Sequence, residues 1–253
     1  MNKVAFAILV CAFACASCAT KPHNSSTPTS QTAASSGFSP ERLQSQTQVI
    51  TDAYAMQVAT ARGATLDQSP TIVIKATPQL ISYDPETNNI TVPAWAEQPE
   101  PVKAVFRKFS GGNEVETEKF FSLFFNQFLV AHEASHWFQQ KTWKGTPPEL
   151  YSLENDANRL AVAFWRTQPN GEEFLAELQV LAENAYKALP DPTPPGHDAA
   201  DFFGQNYQEL GADPIKYGYY QFKFMADALR DRSQLNFDRM VSRLHSGNDN
   251  IGK

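Results

Sequence analysis

Cysteine is confined to the start of the chain: Cys11, Cys15 and Cys18 are the only three. No disulfide can staple the residues beyond Cys18, so the folded part must be held by buried apolar surface. An excess of positive charge is also missing. The formal net charge is −6 and the pI about 5.4, a balance that argues against a nucleic-acid surface and speaks to solubility. Nor does the apolar run near the N-terminus, Val4 to Phe13, reach the length needed to span a bilayer permanently. No internal repeat is visible. What is present is a chain of 253 residues, 42% of them hydrophobic, enough for a good core in one domain with tails.

Lys3 supplies a short positive start, the apolar run comes after it, and the small residues of "ACASCAT" close it. That order is the order of an export signal, over residues 1–18. "CASC" resembles a bacterial lipoprotein box with Cys18 as the lipidated residue, although Cys15 stands where leucine is usual. The alternative is cleavage after Ala16, where Ala14 and Ala16 make an A-x-A site. Residues 19–38 are rich in Ser, Thr, Ala and Pro with almost no large apolar side chain. Such a composition cannot offset chain entropy by burial, so a flexible tether is expected there, with residues 39–253 as the domain. The protein is expected in the cell envelope, lipid-anchored or periplasmic, or outside the cell; a lipid on Cys18 is its only expected contact with a membrane.

The domain opens on a helix that Ser39 can cap, with Pro40 in the first turn and Gly63 as its stop. Over residues 70–95, Ile72, Ile74, Leu80, Ile90 and Val92 alternate or cluster around the turn residues "YDPETNN", which predicts a small sheet ending at Pro93. From Glu114 onward the pattern is helical almost to the end. Residues 116–141 contain no Gly or Pro, and Phe121, Phe124, Phe125, Phe128 and Leu129 cover more than one face, as in a helix at the centre of a domain. Thr146 to Glu149 resemble a cap with a capping box, opening a helix through Trp165. A further helix, a proline-rich loop over 190–198 and two or three more helices complete the chain. The fold class expected is α+β, mostly helical, with a small N-terminal sheet and a helical C-terminal half.

Inside the central helix lies "LVAHEASHWFQQ", residues 129–140. On a helix, residues four apart differ by about 40° in azimuth, so His132 and His136 point the same way and can grip one ion. Glu133 projects about 60° from His136, beside such an ion, where a carboxylate can deprotonate a bound water without becoming a ligand. Zinc suits imidazole donors, and an open coordination position leaves a water whose pKa drops toward about 7. The five-residue pattern alone is a weak signal. Its setting strengthens it, because two unligated imidazoles and a carboxylate are costly to bury in the most apolar helix of the chain.

A third ligand is expected from another helix. "YSLENDANRLAVAFWR" offers Glu154 and Asp156, and both flank the apolar stripe of Leu153, Ala157, Leu160 and Phe164, so periodicity does not choose between them. Asn158 does. It lies one turn after Glu154, where its amide could bond a histidine's other nitrogen, whereas Leu160, one turn after Asp156, offers no such help. The expected set is one zinc ion on His132, His136 and Glu154, with Glu133 as the catalytic base.

"HEASH" followed by "ENDAN", residues 154–158, resembles the gluzincin group of zinc metallopeptidases, and the E-x-x-A-N form is similar to the repressor-cleaving metallopeptidases of bacteria. The resemblance covers roughly residues 70–165. It implies a zincin-like fold, a glutamate ligand from the second helix supported by an acid or amide four residues on, and a small sheet whose edge strand aligns the substrate. "NNITVPAW" could play that last part. The activity implied is hydrolysis of peptide bonds in a peptide or protein substrate, with Glu133 taking a proton from the attacking water and passing it to the leaving amine. A developing oxyanion needs a further donor, and the candidates are Tyr151, His197, Tyr217, Tyr219 and Tyr220. Two other classes share these residues: a catalytically inactive envelope lipoprotein that binds a partner with the same fold, and a structural lipoprotein with a chance motif.

Overall fold

Capping begins the domain. Ser39 Oγ accepts from the backbone of Arg42, helix α1 runs Pro40–Arg62, and Gly63 ends it at a φ of 61°, which glycine adopts without strain. The computed structural model describes residues 39–65, 68–75, 80–142 and 148–245. The expected export signal, Cys18 and the tether lie outside the described residues, as do Thr146 and Pro147 of the expected cap.

Strands β1 (Thr71–Ile74), β2 (Ser82–Asp84) and β3 (Asn89–Val92) form the sheet. Asp84 ties the hairpin turn between β2 and β3, accepting from Glu86 N at 2.9 Å and Thr87 Oγ1 at 2.8 Å, while Asn88 closes it with a φ of 54°. β2 pairs antiparallel with β3, and β1 pairs parallel with β3, so the order is β1-β3-β2. This corrects one expectation: "NNITVPAW" holds the central strand, not an edge. Ile90 and Val92 are fully buried, and a β-branched apolar strand gains most from the middle of a sheet. The outer edge of β1 is closed by α1, where Gln44 Nε2 donates to Ile72 O at 2.7 Å and Ile72 N donates to Gln48 Oε1 at 2.9 Å.

A helix that the sequence pattern did not announce comes next: α2, Glu100–Phe109. Its Val102, Val105, Phe106 and Phe109 stand at helical spacing, so the signal was there. Pro99 and Pro101 obscure it, although proline is well tolerated in a first turn. Then α3 (Glu114–Leu123), one π-helical turn (Phe124–Phe128) and α4 (Leu129–Thr142) run on as the predicted central helix. Asn113 caps it by accepting from Val115 N and Glu116 N. Residues 130–138 are entirely buried, as a helix apolar on several faces requires.

Around this axis pack α5 (Leu150–Trp165), α6 (Gly171–Ala188), α7 (Ala199–Gly211), α8 (Pro214–Arg230) and α9 (Phe237–His245). The cap position of α5 is Glu149, whose side chain makes no capping bond. The π turn inserts one residue, which rotates the face that α4 presents by about 100°. Phe121 and Phe125 pack on Phe106 of α2, while Phe120 and Phe124 pack on Phe222 of α8. The result is a mostly helical α+β fold, with a small N-terminal sheet and a helical C-terminal half.

Candidate metal centre

His132 and His136 lie one turn apart on α4, and their Nε2 atoms come within 3.0 Å of each other. α5 crosses beside them. Its Glu154 places Oε2 3.3 Å from His132 Nε2 and 3.5 Å from His136 Nε2, all three side chains fully buried. Four-coordinate zinc, with bonds of about 2.0–2.2 Å, puts neighbouring donors roughly 3.3–3.6 Å apart along the edges of a tetrahedron. The observed separations are close to that. Glu154 Oε2 has no hydrogen-bond partner among the described residues. Lone pairs converging on one point in a dry interior repel unless a cation lies between them, so the group is compatible with a single divalent ion.

Neighbouring groups fix these donors. His136 Nδ1 is 2.9 Å from Gln139 Oε1, and Gln139 Nε2 donates to Leu153 O at 3.1 Å. Because the Gln139 carbonyl faces the ring, the proton belongs on Nδ1 and the Nε2 lone pair faces the cluster. The sequence pattern gave such support to Asn158. Instead Asn158 Nδ2 donates to the backbone O of Glu154 at 2.9 Å, a local bond made before the short side chain can reach α4. Gln139, one turn past His136 on the same face, was the residue to consider. Tyr207 of α7 donates its hydroxyl to Glu154 Oε1 at 3.1 Å.

Glu133 sits on the side of the cluster nearer the sheet. Its Oε2 accepts from Tyr83 N at 2.8 Å, and its Oε1 has no hydrogen-bond partner among the described residues. The edge strand that meets the site is therefore β2, whose outward amide is spent on the carboxylate. Burial pushes Glu133 up to about 8, opposed by His136, helped by Glu154 and opposed again by the Tyr83 N–H. Burial also takes His132 down to about 4, so it is a neutral donor at pH 7. His136 rises: burial opposes this, but Glu154 and Glu133 outweigh it. Glu154 falls well below the ordinary carboxylate range, because the two histidines outweigh the burial that works against its charge.

Of the five oxyanion candidates only Tyr217 adjoins the cluster. It is buried against Tyr207 with ring centroids 6.1 Å apart, and its hydroxyl is pushed well up by burial and then by the charge of Glu154. Tyr151 packs edge-on to Phe224, Tyr219 lies against Tyr186, and Tyr220 bonds Thr193 Oγ1 at 2.6 Å. His197 is an exposed loop residue beside Phe202. Tyr207 was not among the candidates, and nothing in its local sequence marks it. Asp156 lies outside the cluster, where burial pushes it up to about 6 against the charges of Arg159 and Arg243.

A helical fold with a buried His132-Glu133-x-x-His136 and a distal Glu154 has the active-site geometry of gluzincin-type metallopeptidases. Comparison of the chain with protein-family models, with curated proteins and with solved structures finds no match. The class therefore rests on the geometry of the site itself.

Proposed function

We propose that this protein is an exported, zinc-dependent metallopeptidase that hydrolyses peptide bonds of a peptide or protein substrate in the cell envelope or outside the cell. The convergence of three donor atoms from α4 and α5 on one buried point, with Glu133 beside it, carries the reading. His132 and His136 would hold the ion through Nε2 and Glu154 through Oε2. When bound, zinc supplies a Lewis acid and lowers the pKa of water toward about 7. The Tyr83 N–H holds one oxygen of Glu133 and leaves the other to take a proton from water and pass it to the leaving amine. A carboxyl pushed up to about 8 is largely protonated at neutral pH, so a base here needs a cation nearby to favour its charged form. Tyr207 orients Glu154, and Tyr217 is the donor for the oxyanion. The charged, apolar and small-residue order at the N-terminus supports export, with Cys18 as lipid acceptor.

The first measurement is the zinc content of the purified mature domain, wild type against His132→Ala. One equivalent that disappears in the variant supports the ligand set; no zinc in either sinks it. Loss of palmitate labelling in Cys18→Ala checks the anchor.

Full burial of the cluster favours a second reading, in which the protein keeps the fold and the ion but cleaves nothing and binds a partner at the envelope. One equivalent of zinc with no cut in a broad peptide library selects that reading.

A further inference from the structure

His132, Glu133, His136 and Glu154 are all closed off from solvent, so an ion or a substrate reaches them only if part of the wall moves. The groups that bond to these side chains show where. Gln139 and Tyr83, whose amide holds Glu133, are buried residues. Tyr207, which donates to Glu154 Oε1, is half-buried and so runs from the cluster to the surface.

The helix that carries Tyr207 is built differently from those that carry the ligands. Twelve of the fourteen residues of α4 and nine of the sixteen of α5 are buried, whereas in the thirteen residues of α7 only Phe203 and Leu210 are. Phe203 fastens the first half, its ring packed on Tyr151, Tyr220 and Phe224. The helix then breaks at Asn206, where a φ of −113° and a ψ of 15° are not helical and the side chain donates back to Phe202 O at 2.8 Å. A side chain inserted into the helical ladder in this way makes a kink. A second break follows at Asp213, which caps α8 by accepting from Ile215 N and Lys216 N. Between the two breaks lie Tyr207 to Gly211. Leu210 is their buried anchor, the Tyr207 ring rests edge-on against Phe203 and Tyr217, and Glu209 meets Lys216 at the exposed surface, where an ion pair holds little. A short segment with so few buried side chains and a break at each end opens more readily than the core around it.

We propose that residues 207–211 are a flap over the metal centre, latched by the Tyr207 hydroxyl on Glu154, and that its outward swing admits zinc and an extended stretch of peptide between α5 and α7. The inference rests on the peptidase reading for what passes through, but the opening itself can be measured without zinc or cleavage.

Three variants act on the flap. Tyr207→Phe removes the latch and keeps the ring. Leu210→Ala removes the anchor at a residue outside the cluster. Gly211→Ala restricts the open form, and a Cβ there meets nothing within 4 Å. In the metal-free mature protein, diethyl pyrocarbonate labels histidine rings and mass spectrometry reads each one, with exposed His197 as the internal control. Relative to His197, labelling of His132 and His136 should rise about tenfold or more in Tyr207→Phe and Leu210→Ala, and fall about two- to fivefold in Gly211→Ala. Hydrogen exchange at the amides of 207–211 should proceed through an opening that leaves α5 protected. Zinc uptake and zinc release, followed with a chromophoric chelator, should both speed up in Tyr207→Phe. Faster release with unchanged uptake would reduce Tyr207 to a support for Glu154 and overturn the proposal. Equal labelling in wild type and variants, or exchange at 207–211 only with global unfolding, also overturns it. Should Leu210→Ala fail to fold, the opposite signs expected for the other two variants still decide. If labelling follows the variants but zinc neither binds nor protects the two histidines, the flap stands and the peptidase reading falls.

Discussion

The buried side chains in the two halves of the central helix lie at similar depth and do opposite things. Over α3 and the π turn, Phe120, Phe121, Phe124 and Phe125 meet Phe106 and Phe222, and each ring finds apolar neighbours. Over α4, burial falls on His132, Glu133, Ser135, His136 and Gln139. Ser135 is fully accounted for, since it donates to Ala131 O at 2.8 Å and pairs with Tyr54 OH at 2.8 Å. The histidine cluster is not: Glu154 Oε2, Glu133 Oε1 and His132 Nδ1 have no hydrogen-bond partners among the described residues. Depth of burial therefore does not separate a structural region from a functional one. Unpartnered polar atoms gathered at one point do, because leaving them together in a dry interior costs stability that nothing within the chain repays.

Removing a donor is the most direct way to break the contrast. Glu154→Ala should abolish zinc retention against a mild chelator, whereas Asp156→Ala, outside the cluster, should retain zinc like wild type; the reverse pattern would reassign the ligand. Glu133→Gln should leave zinc content and thermal stability nearly unchanged while cleavage falls by about 10²- to 10⁴-fold, the usual worth of a general base. Equal turnover by this variant and wild type at matched zinc would remove Glu133 from the mechanism.

The phenylalanine half should respond in stability instead. Phe121→Ala should cost about 3–5 kcal/mol in denaturant unfolding, yet zinc affinity measured below the transition should hold. A loss of zinc binding in the folded variant would show that the halves are coupled. Gln139→Leu sharpens the boundary between them: it should weaken zinc binding by roughly 10- to 100-fold, and the nitrogen chemical shifts of His136 should report a mixed tautomer.

The smallest effect concerns the second acid of α5. Asp156 is pushed up to about 6 in the folded protein, so the native state holds a proton that the unfolded chain has released. Its contribution is fully present below about pH 4, the ordinary carboxylate value, and is lost as pH rises through about 6. Asp156→Asn mimics the neutral form. Stability above pH 6 should rise by about 1–2 kcal/mol, discounted for partial exposure, and the slope between pH 4 and 6 should flatten. An unchanged pH profile would mean that Arg159 and Arg243 already neutralise the carboxylate.

Much of the fold was legible in the residues themselves because it is local. Caps at Ser39 and Gly63, the turn at Asp84 and the alignment of His132 with His136 each depend on a few consecutive residues and on the 3.6-residue repeat. Helix α2 was equally local, and its paired prolines hid a readable pattern. What required the tertiary structure is every relation between elements. The hydrophobic pattern of β3 says that it is buried but not which strands flank it, so its central place waited on the pairing with β1. Asn158 had the right spacing to support a histidine and spent its amide on its own helix, while Gln139 reached Leu153 across the helix pair. Tyr207 and Tyr217 lie on different helices and meet near Glu154 only because α7 and α8 pack against α5. Residue order alone sets the chemistry of one helical turn, two histidines with a glutamate beside them. The packing of the other helices sets what holds and surrounds that turn, since distance across a fold depends on how side chains interdigitate and not on their order along the chain.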